Sequence, residues 1–420
     1  PQALRRPGGE AEEARTPMKV LVLDMTHGGD IIARRFLAEG DDVTCVDVYH
    51  NCPADRKNEL AGMDVRIAES VPAGRYDLMV KPAHCPLSFM GDAEAEESIS
   101  FSQAVGRFIE DRRFRIEVTG VKGKTSTCYL LAKILHDSGR KVLLHSSRGE
   151  GPWTDDGHDI ERKVSIAPPY LMTLPAGDYD VIISEVSLGG SGKADISLIT
   201  NLAEDYGIAK NSMKASDAKK DIFSDGINIV REEEADLWSR WCDELIGYGR
   251  RVTRLAEPRL GEGLRVSVDY DGVGEIVLDG SYISTEYLEA MDAALEVCHQ
   301  MGVPRDIVLR SLESFKGVPG RGEIIRDGDR VIVRERNPGI SCLSVKRTMQ
   351  CLSEMDALHD AMVLLDPVSR KVCDKMDAGA ITEAVGSYGV PIVITKGDGE
   401  RPAIPDDVRM LIELVKEGYL

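Results

Sequence analysis

A short apolar run ending at Val118 leads into VTGVKGKTST (118–127) and then into CYLLAKIL (128–135), which has the spacing of a helix. A strand that feeds a glycine-bearing turn opening into a helix is the start of a βα crossover. Strands joined in this way lie parallel, so this stretch points to a parallel α/β sheet. The turn gathers backbone N–H groups at a helix N-terminus, where the helix dipole adds positive charge, so the place favours phosphate. Lys124 is spaced to reach β- and γ-phosphates, and the Thr125 hydroxyl suits Mg²⁺. Gly120 and Gly123 allow the tight backbone, and Thr119, Val121, Lys122 and Ser126 complete the loop. The stretch predicts a site for ATP or GTP. Val118 stands where the commonest phosphate loop has its first glycine, so this loop is of a different type.

The remaining pattern divides the 420 residues into a tail and three parts. Residues 1–17 have no apolar periodicity and no signal-peptide core; a disordered tail is expected there, with Met18 a natural start. From 18 to 112 the order KVLVLD, THGG, DIIARRFLAEG, DDVTCVDVY, then RYDLMVKP predicts a doubly wound, Rossmann-like domain. THGG lacks the glycine spacing of a dinucleotide site, so NAD is not implied. Residues 113–318 carry the phosphate loop and the strands KVLLHSS, YDVIISEVS and DISLITNL, a largely parallel central domain. Residues 319–420, with RVIVRE, AMVLLD and VPIVITK, predict a third, Rossmann-like α/β domain.

Composition excludes several function classes. The net charge of −19 opposes non-specific nucleic-acid binding. Nine cysteines without a CxxC pair give no zinc or iron–sulfur spacing and suit a reducing cytoplasm. No apolar run reaches the ~18 residues of a membrane span.

Five segments, in one order along the chain, resemble the Mur ligase family. They are TGVKGKTS (119–126), SEVS (184–187), ITNLAEDY (199–206), SDAKKDIF (216–223) and GVPGRGEI (317–324). The resemblance implies three α/β domains around a central ATPase, with ATP and Mg²⁺ as cofactors. It implies Mg²⁺ ligation by Thr125, by Glu185 and by Lys219 in carbamylated form, with Lys124, Lys219 and Glu185 as the catalytic set. It further implies that Asn201 contacts adenine, Arg321 the nucleotide, and Asn337, within VRERNPG, the C-terminal part of the nucleotide site. Lys220 beside Lys219 leaves that register to the family spacing alone. Tyr206 stands where the family has a histidine, and neutral tyrosine is a poor ligand for a hard cation. Arg336 likewise replaces a histidine before Asn337, which leaves Glu335 as a possible ribose ligand.

The implied activity is ADP-forming activation of a carboxylate as an acyl phosphate, which a nucleophile then attacks. The opening, MKVLVLDMTHGGDIIARRFLAEG, resembles a branch of the family that closes a carbocycle on a nickel tetrapyrrole, a small-molecule partner. Thr26, His27, Gly28 and Gly29 are the substrate candidates, because helix N-terminal N–H groups can donate to a carboxylate. His27 is a candidate axial ligand or hydrogen-bond donor, and KPAHCP (81–86) is placed to line the same cleft. Two other readings stay open: an amide ligase joining an amino acid to a carboxylate, and a P-loop ATPase switch.

Overall fold

The structure is a computed structural model that describes residues 16–203, 205–338, 340–367, 377–395 and 402–416. The expected tail lies outside the described residues as far as residue 15. The chain forms two compact units, 1–104 and 105–420.

In the first unit, β1 (Lys19–Leu23), α1 (Gly29–Ala38), β2 (Asp42–Val46), α2 (Ala54–Ala61), β3 (Arg66–Ala68), β4 (Gly74–Lys81) and β5 (Ala93–Ser100) follow in order. The sheet order is β3-β2-β1-β4-β5, and every pairing is parallel. The central strands are apolar throughout: Val20 to Leu23 and Leu78 to Val80 are all without exposure, as strands covered on both faces must be. The chain runs outward from β1 to β3 on one side and returns through β4 to β5 on the other. The strand order therefore reverses between β1 and β4, the place where open α/β sheets bind ligands. β5, AEAEESIS, was not among the expected strands. Its outward glutamates suit an edge, where charge discourages pairing with another chain.

The division between units falls inside α3 (Phe101–Phe108). The second unit continues with β6 (Phe114–Thr119), α4 (Lys124–Asp137), β7 (Val142–Ser146), β8 (Gly149–Thr154), β9 (Gly157–His158), β10 (Val181–Glu185) and β11 (Ile196–Ile199). A small hairpin, β12 (Gly207–Ile208) and β13 (Met213–Lys214), precedes α5 (Ala215–Lys219), β14 (Ile227–Arg231), α6 (Ala235–Trp238) and β15 (Ile246–Tyr248). The large sheet runs β15-β14-β11-β6-β10-β7-β8-β9; its first six strands are parallel, and β8 and β9 are added antiparallel. β6 lies between β10 and β11, again at a reversal of strand order, so the phosphate loop opens at the sheet's switch point.

A separate antiparallel sheet, β16 (Val252–Arg254), β17 (Leu264–Asp269) and β18 (Val273–Leu278), shares one buried core with α4, α7 (Leu288–Gln300) and α8 (Arg305–Ser314). Beyond it come β19 (Glu323–Asp327), β20 (Arg330–Asn337), α9 (Cys342–Glu354), β21 (Ala361–Asp366), α10 (Ala378–Gly386), β22 (Ile392–Ile394) and β23 (Met410–Lys416). This sheet has the order β19-β20-β23-β21-β22 with only β19 antiparallel. β23, MLIELVK, is central in it and extends the three strands expected there.

Where β6 turns into the loop, Gly120 has φ 136°, and a Cβ there would lie 2.0 Å from the Thr200 hydroxyl and 2.9 Å from its amide nitrogen. Gly120→Ala is expected to cost roughly 2–4 kcal/mol through this clash and the left-handed backbone. Denaturant unfolding reads it directly; an unchanged midpoint would mean that the loop yields freely.

Candidate active site

The loop hangs on the end of β11. The amide of Val121 donates to the Asn201 carbonyl at 2.9 Å, and that of Lys122 to the Asn201 side-chain oxygen at 3.1 Å. The Thr200 hydroxyl and the Asn201 amide return bonds to the Lys122 carbonyl at 2.6 and 3.3 Å. Asn201 is buried, and its amide also reaches Glu289 at 2.7 Å. The residue expected at adenine thus also braces the loop's backbone. Gly123, at φ 82°, forms the N-cap of α4, with Lys124, Thr125 and Ser126 in the helix's first turn.

Thr125, Glu185 and Arg321 converge on one point, although β6–α4, β10 and the 317–324 segment are far apart in sequence. The Thr125 hydroxyl donates to Glu185 Oε2 at 2.9 Å, and Arg321 Nη2 donates to Thr125 Oγ1 at 3.3 Å. Ser147, one residue beyond β7, joins them. Its amide donates to Glu185 Oε2 at 2.9 Å, and its hydroxyl lies 3.1 Å from that of Thr125 and 3.4 Å from Arg321 Nη2. Ser147 was not among the expected residues; its only sequence signal is its place at the end of KVLLHSS, at a strand's C-terminal end. One carboxylate with two hydroxyls is an all-oxygen set that suits a hard cation such as Mg²⁺. The Arg321 Nε is buried without a partner, so this guanidinium retains a donor for an anion.

Two lysines meet at one carbonyl. Lys124 Nζ donates to the Gly120 oxygen at 3.2 Å, and Lys219 Nζ donates to the same oxygen at 2.9 Å and to that of Ser187 at 2.9 Å. Lys219 is wholly buried against the loop, whereas Lys220 lies over the Trp241 ring. Burial first, and then the charge of Lys124, push the Lys219 ammonium well below its ordinary pKa, with Asp205 opposing. Burial also lowers Lys124. Thr119 donates to the Ser187 carbonyl at 3.4 Å. Tyr206 is 41% exposed, and Asp205 accepts bonds from the Ser216 amide and hydroxyl at the start of α5.

On the third sheet, Asn337 is buried and its amide donates to Glu335 at 3.3 Å. Lys122 Nζ reaches the Ser341 hydroxyl at 3.0 Å, tying the phosphate loop to the start of α9. Glu335, buried, and Glu286, half-buried, form an acidic pair. Burial raises both carboxyls, and the charge of Glu286 raises Glu335 further against Arg321 and Lys122.

In the first unit, the helix N-terminus of THGG is already in use. Thr26 and His27 amides donate to Asp24 Oδ1 at 2.7 and 3.2 Å, and the Gly29 amide donates to the Asp24 carbonyl at 3.1 Å. The loop is folded on its own carboxylate, so these three N–H groups are not open to a substrate carboxylate as expected. Gly28, at φ 97°, is the N-cap of α1. The His27 Nδ1 lies 2.5 Å from Asp24 Oδ2, and His84, from KPAHCP, packs edge-on against His27 with ring centroids 4.5 Å apart. Burial, and after it His27, push the His84 pKa down to about 4.

This architecture is that of the Mur ligases. The solved MurF ligase of Thermotoga maritima in complex with ADP superposes with a TM-score of 0.54 at 12% identity, covering 90% of this chain and 91% of that one. In sequence the chain is similar to the coenzyme F(430) synthetase of Methanosarcina acetivorans, 29% identical over 415 residues and 88% of both chains. The coenzyme F(430) synthetase of Methanocaldococcus jannaschii is 24% identical over 392 residues, again with 88% of both. No protein-family model matches the chain.

The acidic pair makes stability depend on pH. Folded carboxyls with raised pKa values hold protons that unfolded ones release above about pH 4.3, so stability falls as pH rises from there through neutrality. Glu335→Gln is expected to flatten the loss between about pH 5.5 and 8, measured by chemical denaturation. An undiminished slope would place the pH dependence elsewhere.

Proposed function

We propose that this chain is an ADP-forming ligase that activates a side-chain carboxylate of a nickel tetrapyrrole and closes a carbocycle on it, the final step towards coenzyme F-430. The observation that carries the ATP chemistry is the convergence of Thr125, Glu185, Ser147 and Arg321 beside the glycine loop and Lys124. Similarity to two coenzyme F(430) synthetases along 88% of the chain supports the substrate.

A carboxylate is a poor electrophile because it is an anion without a good leaving group. Its oxygen attacks the γ-phosphorus, the bond to the β-phosphate oxygen breaks, and ADP departs. A carbon of the same molecule then loses a proton and attacks the acyl carbon, and phosphate leaves. Internal attack needs no pocket for a second substrate, only a folded arm held near the acyl phosphate. The loop amides, Lys124 and Arg321 hold the phosphates and offset the charge that develops in transfer.

Mg²⁺ held by Thr125 and Glu185 would neutralise phosphate charge. Burial and the charge of Lys124 lower the Lys219 pKa, which favours the amine that adds to CO₂ with loss of a proton, and the resulting carbamate would be a further oxygen ligand. The described cysteines are all free, and no described helix is long and apolar enough to cross a membrane.

The test is ADP release from Mg-ATP under anaerobic conditions. The three arms contain no acceptor, a carboxylate acceptor with mixed amino acids, or the ring-opened nickel precursor. ADP with the precursor alone, together with a changed absorption spectrum, is expected. ADP only with an amino acid would move the function to amide ligation, and ADP without any acceptor would indicate an ATPase switch. Lys124→Ala should lower product formation at least about 100-fold with the fold retained. Lys219→Ala should lose most activity and regain part with added short carboxylates; undiminished activity would remove Lys219 from the mechanism.

A further inference from the structure

One cluster in the first unit has no part in phosphoryl transfer. It sits where the strand order reverses, at the C-terminal ends of β1 and β4. Asp24, directly after β1, is fully buried and has φ 81°, a left-handed conformation that costs a non-glycine residue energy. That backbone turns its carboxylate inward: Oδ1 takes the Thr26 and His27 amides, and Oδ2 faces two imidazoles. His27 Nδ1 is at 2.5 Å and His84 Nε2 at 3.8 Å from that oxygen. The second distance is too long for a hydrogen bond, and His84 Nε2 is buried without a partner. Burying an unpaired polar nitrogen beside a strained, buried carboxylate is unfavourable unless a further group completes the set.

We propose that Asp24, His27 and His84 bind a divalent transition-metal ion of the Ni²⁺, Co²⁺ or Zn²⁺ class through two imidazole nitrogens and one carboxylate oxygen. The three donor atoms lie within 4.8 Å of one another. Two donors each about 2.1 Å from one ion can be no more than about 4.2 Å apart, so closure needs a ring shift of roughly half an ångström. Imidazole selects these ions over Mg²⁺ or Ca²⁺, which take oxygen. The carboxylate offsets one of the two ionic charges, which makes a cation tolerable among buried side chains. Tyr49 packs on both histidines, with ring centroids 5.6 Å from His27 and 6.2 Å from His84, and Phe89 packs on Tyr49 at 5.5 Å. The phosphate loop takes no part, so this site stands or falls separately from the proposed ligase activity.

The experiment uses the full chain, freed of metal by a chelator and titrated calorimetrically with Co²⁺ or Ni²⁺. One equivalent with micromolar or tighter affinity is expected. Affinity should fall at least tenfold in both His84→Gln and His27→Gln and stay the same in Lys124→Ala. X-ray absorption of the Ni²⁺-loaded wild type reads the ligands without relying on variants, and should show two imidazoles. Failure of the wild type to bind, fewer than two imidazoles, or equal affinity in the folded histidine variants would overturn the proposal.

Discussion

Thr200 and Asn201 grip the phosphate loop from the end of β11, and the rest of the active site depends on that grip. They bond the amides and carbonyl of Val121 and Lys122, so the loop cannot slide along β6. With the loop held, the Gly120 carbonyl is a fixed acceptor for two lysines, and Thr125 is brought to Glu185. Because β10 and β11 flank β6, neighbours in space come from segments about seventy residues apart. The parallel sheet supplies this convergence: its strand ends all face one way and carry their loops to one edge.

The charges around the loop are poised by burial. Lys219 is dehydrated and beside another cation, which lowers its pKa. Glu335 and Glu286 are dehydrated beside each other and are disposed to hold protons. Each is a group whose charged form is disfavoured until a partner of opposite sign arrives.

Much of this was legible in residues. The α/β class follows from VTGVKGKTST between a strand and a helix, and β1, β4, β7, β10, β11, β20 and β21 lie where apolar, β-branched runs predict them. The strands that escaped are informative. β5 carries three glutamates because it is an edge, so its pattern reads as solvated loop; β16 to β18 are short and interleaved with charges. Ser147 escaped for another reason: a serine after a strand has no distinguishing pattern until its neighbour strand is known.

The sequence by itself determined the class of loop, the order of strands and helices, and the residue types available for phosphate and metal. These are properties of neighbours along the chain, set by periodicity, glycine and local hydrogen bonding. Only the tertiary structure decided that Lys219 rather than Lys220 packs against the Gly120 turn, and that Asp24 occupies amides of THGG. The same is true of His84 meeting His27 across 57 positions. Those outcomes rest on strand register and burial, which arise from pairings between distant segments.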